Sequence, residues 1–159
     1  LVLEVRPTQV TLVPDPPESL TSNAGWDTKK FSDFLKEIVL EFKSAGIRTS
    51  LFLDPNPDMI ESAFQTGTDR IELYTEMYAT DYQAHREQAI KPYKATAKKA
   101  AEMGLGINAG HDLNLINLSF FAKQIPSLQE VSIGHALIAD ALYLGLENTI
   151  QAYKRQLLA

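Results

Sequence analysis

The chain has 159 residues, 45% of them hydrophobic, and a formal net charge of −5. That composition suits one globular core, and its acidic balance argues against nucleic acid as a partner, which ordinarily calls for a basic patch. It has no cysteine, which excludes disulfides and thiolate metal sites and fits a cytoplasmic location, and no apolar run approaches the ~18 residues of a membrane span.

Leu1 to Arg6 reads as the last turn of a helix closed by Pro7. It lacks the basic region and cleavage site of a signal peptide. With no Met at the start, the chain reads as the later part of something longer. Val10 to Val13 is a short strand stopped by Pro14, and Asp15 to Gly25 is a long polar loop of the kind that often carries function. Asp27 is placed to cap a helix whose apolar stripe is Phe31, Phe34, Leu35, Ile38, Val39 and Phe42, ended by Gly46. Thr49 to Leu53 is the second strand, a short helix runs from about Pro57 to Phe64, and Arg70 to Tyr74 is the third strand. One long helix is predicted over Tyr82 to Met103, then a strand from Gly106 to Asn108. A short helix over Leu115 to Lys123, a strand at Val131 to Ile133 and a last helix over Ala136 to Leu157 complete the chain.

Strands alternating with helices argue for a parallel sheet, and short apolar strands suit one covered on both faces. An open doubly wound sheet and a (β/α) barrel both have this order. The strand starts lie roughly 20 to 40 residues apart, the repeat a barrel uses. An intact barrel needs eight units in ~250 residues. The expectation is therefore a (β/α)8 TIM barrel of which residues 1–159 supply the last five strand–helix units as the C-terminal part of one domain.

In such folds the reactive groups gather at the C-terminal ends of strands. Two of the three histidines lie at such ends, His111 and His135. Gly134 joins the fifth strand to a helix N-terminus, where free N–H groups and the helix dipole can hold a phosphate. Gly134 could instead serve only a tight turn, but its place after the last strand favours the anion site. His111 can donate or accept a proton near neutral pH, with Gly110 giving the turn that presents it. Alternatively it is a solvated loop histidine beside a helix-capping Asp112. Glu72 is an ionisable group in an otherwise apolar strand, costly unless paired or functional, unless it merely reaches solvent at the strand end. His85, among Gln83, Arg86 and Glu87, reads as surface, as do Lys94, Lys98 and Lys99. No metal motif, dinucleotide fingerprint, P-loop or serine elbow is present. These groups suit acid–base chemistry on a phosphorylated small molecule.

The run from Gly104 through His111 to Asn114, with Val131 to Ile138 after it, closely resembles the pyridoxine 5′-phosphate synthase family. So do Leu12 to Asp15, Leu20 to Asp27, Thr49 to Asp54, and Arg70 to Thr75 with Tyr78-Ala79, so the resemblance spans essentially the whole chain. It implies a (β/α)8 barrel that condenses 3-amino-2-oxopropyl phosphate with 1-deoxy-D-xylulose 5-phosphate. The products are pyridoxine 5′-phosphate, inorganic phosphate and water, in vitamin B6 biosynthesis. It implies a cytoplasmic transferase or synthase without a cofactor, acting as homo-oligomeric dimers that assemble further. By position, His111 matches a general acid and Glu72 a carboxylate that stabilises an imine-like transition state. Thr21 matches a contact to the deoxyxylulose phosphate, and Asp112, Gly134 and His135 match residues that bind the amino-oxopropyl phosphate and hold the product's phosphate. Some members have glycine where Asp112 stands, so a phosphate contact there is expected through its backbone N–H. The family's second catalytic histidine and glutamate belong to its first strands, which this chain lacks, so the fragment alone is expected to be inactive. The alternative is a non-catalytic phosphate-binding barrel fragment that assembles with a partner chain.

Overall fold

The computed structural model describes residues 1–158. Its order is α1 (Val2–Val5), β1 (Gln9–Leu12), α2 (Ser32–Ser44), β2 (Arg48–Leu53) and a 3-10 turn (Pro57–Met59) running into α3 (Ile60–Gln65). Then come β3 (Arg70–Tyr74), α4 (Glu76–Ala89), α5 (Lys91–Glu102), β4 (Gly106–His111), α6 (Leu118–Gln124), β5 (Leu128–Ile133), α7 (His135–Leu144) and α8 (Leu146–Leu158). The strands pair in sequence order, β1-β2-β3-β4-β5, every neighbour parallel. Crossover connections through helices produce this arrangement. Among the described residues β1 and β5 remain the two edges, so the sheet is an open half-barrel. The α/β expectation and its five strand–helix units are met. A closed ring of eight is not formed by these residues.

Strand alternation divides the sheet into two unlike faces. Leu51, Leu53, Ile71, Leu73, Ile107 and Ala109 are fully buried against the helices, where Leu35, Val39, Ile60, Tyr93, Leu118 and Phe121 complete the core. Tyr78, Tyr93 and Phe121 meet edge to face, with centroids 5.0 to 5.8 Å apart. The other face is polar, which corrects the expectation of strands apolar on both sides. It lines the hollow of the half-barrel, and its charged groups pair with one another. Arg48 donates to Gln9 Oε1 and Glu130 Oε1, both at 2.8 Å. Arg70 donates to Asn108 Oδ1 at 2.8 Å and pairs with Glu130 Oε2 at 3.2 Å.

β4 and β5 run longer than expected and α4 begins earlier, at Glu76. Four further boundaries differ, each for a local reason. The long helix over Tyr82 to Met103 is two helices meeting at Ile90, with Pro92 in the first turn of α5, where its missing N–H costs nothing. The last helix is broken at Gly145, whose φ of 78° is left-handed. Asp27 accepts from Lys30 N at 3.0 Å and so caps a single turn just ahead of α2, which starts at Ser32. Asn114 and Asn117 bond each other's backbone N–H groups, which holds a turn and delays α6 to Leu118.

Candidate active site

The C-terminal strand ends and the loop after β1 enclose a cavity of about 460 Å³. Thr11, Ser22, Glu72, His111, Ser132, Gly134 and His135 line it. With Phe52 of β2, every strand contributes a lining residue. Parallel pairing brings them together: Tyr74 lies beside Gly110 and Gly110 beside Ser132, two residues beyond the Glu72–Asn108 pair.

Glu72 sits on the polar face of β3 and is 6% exposed. Its Oε2 accepts from Thr11 Oγ1 at 2.9 Å, and Ser132 lines the same cavity. Burial pushes its pKa above the ordinary glutamate value. The Thr11 and Ser132 hydroxyls pull the other way, the charge of Glu130 adds to the rise, and His111 lowers it. The glutamate is not at a solvated strand end. It is a buried carboxyl in a hydrogen-bonded seat.

His111 closes β4. From sequence the turn that presents it falls to Gly110, but the left-handed backbone is at His111 itself, with φ 99°. Gly110 lies in the strand and serves close approach instead: a Cβ there would come 2.5 Å from Glu72 Oε1 and 2.8 Å from Ser132 O. His111 Nδ1 lies 2.6 Å from Asp112 Oδ2, and Nε2 lies 2.7 Å from Thr21 Oγ1. Tyr74 meets the ring edge-on at 5.2 Å, and the His135 ring is centred 6.3 Å away.

Thr21 belongs to the loop after β1, which folds over the strand ends. Tyr74 Oη donates to Ser22 O at 3.1 Å, Ser22 Oγ donates to Asp15, and Trp26 Nε1 donates to Leu12 O at 3.0 Å. The returning chain runs so close to β2 that a Cβ on Gly25 would overlap the Leu53–Asp54 backbone. The loop thus joins the site from above.

Gly134 is the N-cap of α7, with no side-chain cap and open space where a Cβ would stand. The first N–H groups of a helix lack intrahelical partners. Here they open beside exposed His135 at the cavity wall. Asp112, the other residue expected near phosphate, has its N–H 3.3 Å from Thr75 Oγ1 and its carboxylate on His111. His85 is exposed, as expected, and lies far along α4 where the backbone leaves helical geometry.

Thr11, Ser132 and Tyr74 were missed from sequence. The signal that could have found them is parity: Arg70, Glu72 and Tyr74 alternate on β3, and register places Ser132 on the same face. A larger hollow of about 790 Å³ lies between α5 and the end of α6, bounded by Ile90, Lys94, Lys98, Ile125 and Pro126. It is on the helix side of the sheet, shares no lining residue with the strand-end cavity, and its lysines are exposed. Among the described residues no three His, Asp or Glu side chains gather as a metal-binding group, and no helix is long and apolar enough to cross a membrane.

Comparison with known proteins gives a consistent picture. The family model described as "Pyridoxal phosphate biosynthesis protein PdxJ" matches residues 1–159. A pyridoxine 5′-phosphate synthase of Christiangramia forsetii is 60% identical over 157 residues, covering 99% of this chain and 66% of that protein. The protein of the same name from Bacteroides thetaiotaomicron is 60% identical over 154 residues, covering 97% of this chain and 65% of that protein. The chain therefore spans slightly less than two thirds of these relatives. Among solved structures, the Amycolatopsis orientalis BexX/CysO complex matches with a TM-score of 0.55 at 14% identity, over 83% of this chain and 50% of that one. That likeness concerns the fold alone.

Proposed function

Because this chain belongs to the pyridoxal phosphate biosynthesis protein PdxJ family, we propose that the complete protein is a pyridoxine 5′-phosphate synthase. On this reading it joins 3-amino-2-oxopropyl phosphate to 1-deoxy-D-xylulose 5-phosphate and releases inorganic phosphate and water. One observation carries the proposal: Glu72, His111 and the open N-terminus of α7 border a single cavity.

The reaction needs an imine between the amine and a ketone, loss of water and phosphate, and an aldol-type closure of the ring. Each step moves protons, so positioned acids and bases are required. His111 serves as the general acid through Nε2, the nitrogen turned toward Thr21. Glu72 stabilises positive charge developing on the imine nitrogen. A carboxyl held out of water does so more strongly than a solvated one, because its charge is less screened. Thr21 contacts the deoxyxylulose phosphate. Gly134 and His135 hold the phosphate of the amino-oxopropyl substrate, and later that of the product, through the free N–H groups and dipole of α7. Asp112 borders the same substrate.

The part of the relatives that lies outside this match is proposed to supply the strands that close the barrel, with the remaining acid–base groups on them. The unpaired edges of β1 and β5 support this, as do Ile138, Leu142 and Tyr143, which α7 leaves exposed. Assembly into homo-oligomers belongs to the same reading, as does the inactivity of the 159 residues alone.

The test is to incubate the full-length protein with both phosphates and to measure pyridoxine 5′-phosphate and released phosphate. His111→Ala is expected to lower kcat by on the order of 10²-fold or more, with KM changed far less. Near-normal turnover in that variant would remove the acid role, and absence of product from the unaltered protein would remove the function.

A further inference from the structure

We propose that Asp112 is a positioning residue for His111: its carboxylate holds the ring in the Nδ1–H tautomer, so that Nε2 is the nitrogen offered to the cavity. The proposal rests on the reading of His111 as the proton-transfer residue and specifies how that residue is prepared.

The first support is the pair of contacts on the ring. His111 Nδ1 is 2.6 Å from Asp112 Oδ2, and Nε2 is 2.7 Å from Thr21 Oγ1. An ionised carboxylate can only accept, so Nδ1 must carry a hydrogen. In the neutral ring Nε2 is then an acceptor, and the Thr21 hydroxyl donates to it. When the ring takes up a second proton, the Asp112 contact is unchanged and the new N–H sits on Nε2. The same orientation therefore serves a base and an acid without turning the ring.

The second support is the backbone that permits the contact. Successive side chains of a strand point to opposite faces, so neighbours in sequence do not ordinarily meet. His111 and Asp112 meet because His111 adopts φ 99°, a conformation uncommon for a residue with a Cβ. Strained backbone of this kind persists only where its surroundings hold it. Thr75, fully buried, supplies that hold: its N and Oγ1 both donate to Gly110 O, at 3.2 and 2.7 Å, and its Oγ1 faces Asp112 N at 3.3 Å. Asn117 Nδ2 donates to Asp112 O at 3.3 Å from the far side. The turn is thus gripped on both flanks of the histidine.

A lone imidazole in water prefers the Nε2–H tautomer. The partner of one nitrogen decides which form is present. An asparagine in place of Asp112 could offer its amide N–H to Nδ1 and so favour the opposite tautomer, which would turn the cavity-facing nitrogen from acceptor to donor.

The experiment uses full-length protein with ¹⁵N-labelled histidine, and long-range ¹H–¹⁵N spectra recorded where His111 is neutral. The unaltered protein is expected to show the Nδ1–H form, and Asp112→Asn the Nε2–H form. The same variant is expected to lose on the order of tenfold or more in kcat with KM within about twofold, as for a histidine held in the wrong tautomer. Finding Nε2–H in the unaltered protein overturns the proposal whether or not the variant folds. An unchanged tautomer in Asp112→Asn overturns it as well. Full turnover by His111→Ala would instead strike at the acid role, leaving the tautomer result to stand by itself.

Discussion

The carboxylate of Glu72 lies directly over the α-carbon of Gly110. A methyl group at that α-carbon would come within 2.5 Å of Glu72 Oε1 and 2.8 Å of the Ser132 carbonyl. Gly110→Ala is therefore expected to displace Glu72 or push β5 away from β4, at about 1–3 kcal/mol of stability. Gly134→Ala is its control, since nothing lies within 4 Å of a Cβ there. Its stability should fall by less, about 0.5–1 kcal/mol, the cost of replacing a glycine N-cap by alanine. Urea unfolding of the two full-length variants checks this. Equal losses would show that the close approach at Gly110 is not what excludes a side chain.

Glu72 also makes stability depend on pH. Burial, opposed by its hydrogen bonds, raises its pKa above the ordinary value of 4.5. The folded protein then binds this proton more tightly than the unfolded chain, so the slope 2.303RT(ν_U − ν_N) is negative between the two values. The contribution is complete below the unfolded value and is lost as pH rises through the folded one. Glu72→Gln is expected to gain stability relative to the unaltered protein as pH climbs from about 4 toward neutrality. Denaturant titrations at a series of pH values read the difference. A flat or falling difference would contradict the assignment.

Glu130 bridges two guanidinium groups, with Arg48 at 2.8 Å and Arg70 at 3.2 Å. Its side chain is 41% exposed, so screening limits what the bridge contributes. Glu130→Ala should cost about 1 kcal/mol, and a double-mutant cycle with Arg70→Met should give a coupling of roughly 0.5–1 kcal/mol. Independent, additive effects would mean that the two side chains do not act as a pair.

Thr21 is exposed and joins the loop after β1 to His111 through one hydroxyl. Thr21→Ser keeps that hydroxyl and should stay close to the unaltered enzyme. If the proposed function holds, Thr21→Val, which keeps the shape without the donor, is expected to raise KM for the deoxyxylulose phosphate about 5- to 10-fold, the worth of one hydrogen bond of roughly 1–1.5 kcal/mol. Steady-state kinetics with the other substrate saturating separates the two, and indistinguishable variants would argue against the contact.

Much of this was legible in the chain alone. Pro7, Pro14, Gly46 and Gly104 punctuate it, and the strand–helix alternation between them specifies a parallel sheet, because local backbone preferences act over a few residues. His111, Glu72, Gly134 and His135 stood out because the strand order puts them at or near one end of that sheet. Harder to see was the break at Ile90, since the alanine- and lysine-rich stretch beyond it continues helical propensity and Pro92 is tolerated in a first turn.

By itself, then, the amino-acid order determined most of the elements and the identity of the groups at the C-terminal strand ends, which follow from periodicity and punctuation. Tertiary structure alone decided the surroundings of Gly110 and Gly134. Gly134 stands in open space at the start of α7, while Gly110 is packed beneath Glu72 and cedes the turn to His111. That difference comes from register across β3, β4 and β5, which sets Glu72 and Ser132 against one α-carbon and leaves the other free. No local run of residues encodes such a distance, because the groups that meet there come from strands far apart in the chain.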